Sequence, residues 1–144
     1  VTIDNLSTGF RGNIPEGVVF IEGDCSDQEI IDQLKPYRFD TIMHIAGQSS
    51  GESSFDDPLY DLKSNVLSTL LLLDYSKNHG CRKFIYGSSM SVYGSQPDIA
   101  VVEESVTNPI SFYAVGKLAS ENYLKIYPSP ELQVEWLSPK KKVL

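Results

Sequence analysis

Cysteine, tryptophan and basic charge are scarce in this chain, and long apolar runs are missing. Cys25 and Cys81 stand in unrelated contexts, without the density of a disulfide framework or the paired spacing of a zinc site. A reducing, cytoplasmic setting is therefore expected, and no metal centre. Lys and Arg number 12 against 19 Asp and Glu, a formal net charge of -7. Phosphate binding needs a concentrated basic face, and the one basic run, Lys140-Lys141-Lys142, is terminal and reads as a solvated tail. A nucleic-acid partner is not expected. The longest apolar stretch, Leu70 to Leu73, is far short of the roughly 20 residues that cross a bilayer, and no signal-peptide pattern precedes the first strand. A membrane partner is not expected either.

What is present is the composition of one globular domain: 144 residues, 41% hydrophobic and 10% aromatic. The chain starts at Val1 rather than Met, and Val1-Thr2-Ile3-Asp4 reads as the end of a buried strand, so the chain is expected to begin inside a fold. Short apolar runs then alternate with helical periodicity, the pattern of βαβ units around a parallel sheet. Strands are expected at Val1 to Asp4, Val18 to Glu22, Thr41 to Ile45 and Phe84 to Tyr86. Helices are expected at Gln28 to Leu34, Leu59 to Asn78 and Phe112 to Ile126. The loop from Gly94 to Asn108, with Pro97, Glu103 and Glu104, reads as a surface loop edging the site.

Ligands of open parallel sheets lie beyond the carboxyl ends of the strands, so polar residues placed there carry weight. Asp4 closes the first strand ahead of Asn5-Leu6-Ser7-Thr8-Gly9, where a carboxylate can accept both hydroxyls of an adenosine ribose. Asp24 follows the second strand in Gly23-Asp24-Cys25 and can take an adenine amino proton. His44-Ile45-Ala46-Gly47 closes the third, with small residues over which a dinucleotide can lie. Singly, each also reads as an ordinary loop aspartate, cap or turn glycine; their order in one chain is what counts. His44 itself reads as a hydrogen-bonded structural histidine. Tyr113 and Lys117, at i and i+4, project from one helical face, with Ser88, Ser89 and Ser91 upstream. A phenol near pKa ~10 must fall by roughly three units to act as a base at neutral pH, about 4 kcal/mol, and a neighbouring ammonium, an oxidised nicotinamide and a serine hydroxyl together can supply it. An amphipathic helix with a chance Tyr-x-x-x-Lys is the alternative reading of that pair.

These segments, together with Asn65-Val66 and the string Phe84-Ile85-Tyr86-Gly87-Ser88-Ser89-Met90-Ser91-Val92-Tyr93-Gly94, closely resemble the NAD-dependent epimerase/dehydratase family, the extended short-chain dehydrogenases, over Val1 to about Tyr127. The nearest members are its nucleotide-sugar 4-epimerases. The resemblance implies a Rossmann-like, doubly wound parallel α/β fold, NAD as cofactor and a nucleotide sugar as substrate, and it allows a homodimeric parent. It implies Ser89 as catalytic serine, Tyr113 as base and Lys117 as the lysine binding the nicotinamide ribose. Asp4 and Asn5 fall on adenosine-ribose positions, Asp24 and Cys25 on the adenine pair, Ile45, Ala46 and Gly47 beneath the cofactor, and Asn65 on its supporting asparagine.

The departures from the pattern are specific. Family dehydratases carry Asp-Glu after the catalytic hydroxyl residue, where Met90 and Ser91 stand here, so sugar 4,6-dehydration is disfavoured. Ser68 replaces the glycine of Asn-Val-x-Gly-Thr, an exchange read as a helix-packing adjustment. The glycine-rich phosphate loop, its strand and helix, and the C-terminal substrate domain have no counterpart. Residues 1–127 are thus expected to form a partial NAD-binding domain and 128–144 an irregular tail. The first family strand pairs on both sides, and each buried backbone group left unpaired costs ~1–3 kcal/mol against a total stability of ~5–15 kcal/mol. The chain is therefore expected to be an internal fragment of a 4-epimerase-like enzyme, inactive alone. A one-way reductase or decarboxylase sharing the triad, or a non-catalytic fragment, are the alternatives.

Overall fold

Among the described residues five short β-branched or aromatic runs become strands, and all pair in parallel. The computed structural model describes residues 1–95, 101–127 and 132–137. Strand β1 (Thr2–Asp4) lies beside β2 (Phe20–Glu22), with Ile3 opposite Ile21. Strand β4 (Lys83–Gly87) lies between β3 (Thr41–His44) and β5 (Gln133–Leu137), so the strand groups are β1-β2 and β3-β4-β5. No strand pairing joins the two groups among the described residues, in keeping with the expected absence of the first family strand, which pairs on both sides. This explains one difference from expectation: Val1 is 44% exposed and β1 is not buried, because it is hydrogen-bonded on one side only.

Helix starts follow their caps. Asp27 accepts from the Glu29 N–H at 2.9 Å and opens α1 (Gln28–Asp32). That helix stops two residues earlier than expected, and the turn before Pro36 carries Leu34 into the core. A short helix α2 (Ser53–Asp56), not anticipated from the sequence, precedes α3 (Pro58–Leu62), which Asp57 caps through the Tyr60 N–H at 2.9 Å with Pro58 in its first turn. Helix α3 continues through a π turn, Lys63–Leu67, into α4 (Ser68–Asn78), so the long helix expected over Leu59 to Asn78 is present with one widened turn. Ser111 caps α5 (Phe112–Ile126) by accepting from the Ala114 N–H at 3.1 Å.

Within the stretch 128–144, expected as an irregular tail, strand β5 occupies Gln133–Leu137, and 128–131 and 138–144 lie outside the described residues. Strand β5 pairs with β4 in the register Phe84 opposite Val134, and half-buried Lys83 is ion-paired with exposed Glu135 at 3.1 Å. The short alternating run is flanked by Pro130 and Pro139, which mark a loop in sequence; the open edge of β4 is what makes it a strand. Residues 96–100, including Pro97, and the lysine run lie outside the described residues. One core joins the two strand groups: Leu72, Leu73, Phe84, Tyr86, Leu124 and Leu132 pack with Ile21, Ile31 and Leu34. Each large apolar side chain buried there contributes roughly 1.5–3 kcal/mol.

Candidate active site

Helix α5 turns Tyr113, Lys117, Glu121 and Leu124 toward the sheet, one position per turn. Lys117 is 5% exposed; its Nζ donates to the Gly87 carbonyl at 3.0 Å and lies 5.0 Å from the Tyr86 ring centroid and 5.7 Å from that of Tyr113. Burial pulls the Lys117 ammonium down to about 8, and the Asp61 carboxylate opposes the fall. The ammonium therefore keeps its proton at neutral pH. Ser89 begins the 3-10 turn Met90–Tyr93, and its Oγ accepts from the Ser91 N–H at 3.2 Å and the Ser91 hydroxyl at 2.9 Å. With two donors directed at that oxygen, its own proton can point elsewhere. The neighbouring Ser88 hydroxyl donates to the Glu121 carboxylate, which binds this loop to α5. Ser89, Tyr113 and Lys117 thus gather around the carboxyl end of β4.

The loop after β3 is fastened to the π turn. The Asn65 Nδ2 donates to the Gln48 carbonyl at 3.0 Å and to Asp61 Oδ1 at 3.1 Å, while the Gln48 N–H donates to Ser64 Oγ at 3.2 Å. Gly47 has φ of 149°, and a Cβ there would come within 2.5 Å of Asn65 Oδ1, so a side chain is excluded on both counts. Ile45, Ala46 and Gly47 are exposed above this anchor. Asp4 Oδ1 accepts from the Leu6 N–H at 2.7 Å and holds Leu6 at φ 55°. Asn5 Nδ2 donates to Asp24 Oδ2 at 3.3 Å, and Asp24 Oδ1 accepts from the Ser26 N–H at 2.8 Å, so the ends of β1 and β2 share one polar turn. Cys25 packs inward; burial first, and the Asp24 charge second, push its thiol up to about 11, which makes it a packing group.

His44 is the structural histidine expected from the sequence. Its Nε2 lies 3.2 Å from Ser68 Oγ and 3.1 Å from Thr69 Oγ1. Those hydroxyls already donate to the Ser64 and Asn65 carbonyls, so Nε2 carries the proton and donates. Ser68 thus bonds β3 to α4, more than a packing adjustment. Sequence reasoning missed Asp61, Ser64 and Glu121. Asp61 four residues before Asn65, and Glu121 four after Lys117, were the available signals: each is a carboxylate on the apolar side of its helix.

These residues fit a dinucleotide at its two ends. Carboxylates stand at the ends of β1 and β2, a small-residue strip is exposed at the end of β3, and beneath it Asn65 Oδ1 is a buried acceptor without a hydrogen-bond partner among the described residues. Among the described residues no group of three or more His, Cys, Asp or Glu could hold a metal ion, and no helix is long and apolar enough to cross a membrane.

Parallel strands with helical crossovers and polar residues collected at their carboxyl ends define a Rossmann-like α/β protein. The chain belongs to the NAD dependent epimerase/dehydratase family, whose model matches residues 1–136. It is 35% identical over 126 residues to UDP-glucose 4-epimerase of Azospirillum brasilense, a match covering 87% of this chain and 36% of that protein. The crystal structure of Thermus thermophilus UDP-glucose 4-epimerase in complex with NAD superposes with a TM-score of 0.84 at 34% identity, covering 94% of this chain and 44% of that one. Thermotoga maritima UDP-glucose 4-epimerase, crystallised with UDP-glucose, gives 0.88 at 30% identity, with 94% and 45% covered. The chain therefore spans less than half the length of these relatives.

Proposed function

We propose that the whole protein is an NAD-dependent nucleotide-sugar 4-epimerase in which Ser89, Tyr113 and Lys117 carry the proton chemistry. The observation that carries this reading is the clasp between Lys117 and the Gly87 carbonyl, which places the ammonium beside Tyr113 at the end of the strand leading to Ser89. Tyr113 takes the proton of a sugar hydroxyl, and the Lys117 charge stabilises the phenolate that results. Ser89 orients the same sugar oxygen and shares its proton. Asp4 and Asn5 would hold the adenosine ribose, Asp24 and Cys25 would flank the adenine, and Ile45, Ala46, Gly47 and Asn65 would lie beneath the dinucleotide. NAD, when bound, supplies the hydride acceptor. The relatives named UDP-glucose 4-epimerase make a UDP-hexose the substrate to try first. In the full-length protein, Tyr113→Phe should abolish UDP-hexose interconversion, a loss of 100-fold or more by the usual worth of a general base, on the order of 10²–10⁴, while NAD binding stays near wild type. Lys117→Ala should weaken both. Retention of wild-type kcat by Tyr113→Phe would remove Tyr113 from the role of base.

A further inference from the structure

The long helix buries a carboxylate that the proposed proton transfer does not use. Asp61 is 1% exposed, on the last turn of α3 before the π turn, a distortion often found at functional sites. Its Oδ1 accepts one amide proton of Asn65 at 3.1 Å, and the Gln48 carbonyl accepts the amide at 3.0 Å. Both partners are pure acceptors, so the amide fits in one orientation only. A flipped Asn65 would set its oxygen against a carboxylate and a carbonyl. In the orientation that remains, Oδ1 points away from Asp61, toward Gly47, and keeps its acceptor capacity.

The other Asp61 oxygen faces α5. A Cβ on Gly116 would lie 3.4 Å from Oδ2, and the next residue on that helix is Lys117. The Tyr86 ring on β4 and the Tyr113 ring on α5 lie beside the Lys117 ammonium, with neutral His44 on β3 and Asp61 within electrostatic reach, and Glu121, one turn further along α5, holds the Ser88 hydroxyl. The Asp61 charge favours the ammonium against the effect of burial. The favour is mutual: burial pushes the Asp61 carboxyl upward, while Asn65 and Lys117 pull it back down.

We propose that Asp61 is a positioning residue of this site: it locks the Asn65 amide with Oδ1 beneath Gly47 and supplies the counter-charge to the buried Lys117 ammonium. The inference rests on the reading of Asn65 and Lys117 as site residues, but its test does not need turnover. The full-length protein with ¹³C-labelled lysine is titrated by NMR, the Lys117 signal being assigned by its loss in Lys117→Arg. Asp61→Asn, which keeps shape and removes charge, should lower the Lys117 midpoint by about one unit, and Asp61→Glu should restore most of it. An unchanged midpoint in folded Asp61→Asn overturns the counter-charge. The second measurement uses the wild-type protein, so a variant that fails to fold leaves the proposal falsifiable. The Asn65 side-chain ¹⁵N resonances should move as Asp61 titrates at acid pH. A flat Asn65 signal through that titration overturns the amide lock. Loss of epimerase activity in the wild type with both NMR results intact would sink the functional reading and leave the role of Asp61 standing.

Discussion

Buried titratable side chains give this molecule its pH behaviour, and His44 is the clearest of them. Burial, with Lys117 adding to it, pushes the imidazole down from the ordinary 6.5 to about 3. Between those values an unfolded chain takes up a proton that the folded one refuses, so stability is complete above 6.5 and falls as pH drops toward 3. The amount at stake is roughly 3–5 kcal/mol. His44→Phe should therefore flatten the loss of stability between pH 7 and 4, measured by urea unfolding, at the cost of about 1 kcal/mol at pH 7 for the lost hydrogen bond. An unchanged slope in His44→Phe would show that other groups govern acid unfolding. At this scale the sequence was informative where chemistry follows from spacing: Tyr113 and Lys117 lie on one face because i and i+4 must. It was silent on Asp61, because that residue acquires its meaning from Lys117 on another helix, 56 positions later by number.

Elements were legible in proportion to their local signals. Helix α5 begins and ends where expected because Ser111 caps it and its apolar face is continuous. The π turn was not legible, since nothing in Lys63-Ser64-Asn65-Val66-Leu67 separates a widened turn from a regular one. Its function is visible only across the gap to the loop after β3, where Gly47 must admit Asn65 Oδ1. Gly47→Ala joins a left-handed backbone position to a steric overlap, and should destabilise the protein by about 1–3 kcal/mol. It should also shift the Asn65 side-chain amide signal. Thermal unfolding at the wild-type midpoint would show that this loop can yield without strain.

For the whole molecule the two strand groups were legible as a class, parallel α/β, while β5 was not, because its pairing depends on an edge formed fifty residues earlier by β4. The sequence contains no Gly-x-x-Gly-x-x-Gly phosphate loop, and the net charge of -7 offers little in its place. The isolated chain should therefore bind NAD only weakly; isothermal titration giving a micromolar dissociation constant with folded protein would overturn this.

The bonds by which α5 closes the site also set when it can form. Lys117 donates to the Gly87 carbonyl at the end of β4, and the Ser120 hydroxyl donates to the Asn65 carbonyl in the π turn, while β3 and β4 pair with each other, Thr41 opposite Lys83. Both acceptors belong to elements that precede α5 in the chain and must be ordered before its bonds can close, which makes those bonds late events in folding. The proposed catalytic groups are then assembled last, on a sheet edge and a π turn that exist before them. In a pulse-labelled hydrogen-exchange experiment, amides of β3 and β4 would become protected ahead of those in α5, so a nascent chain would have its core well before its chemistry.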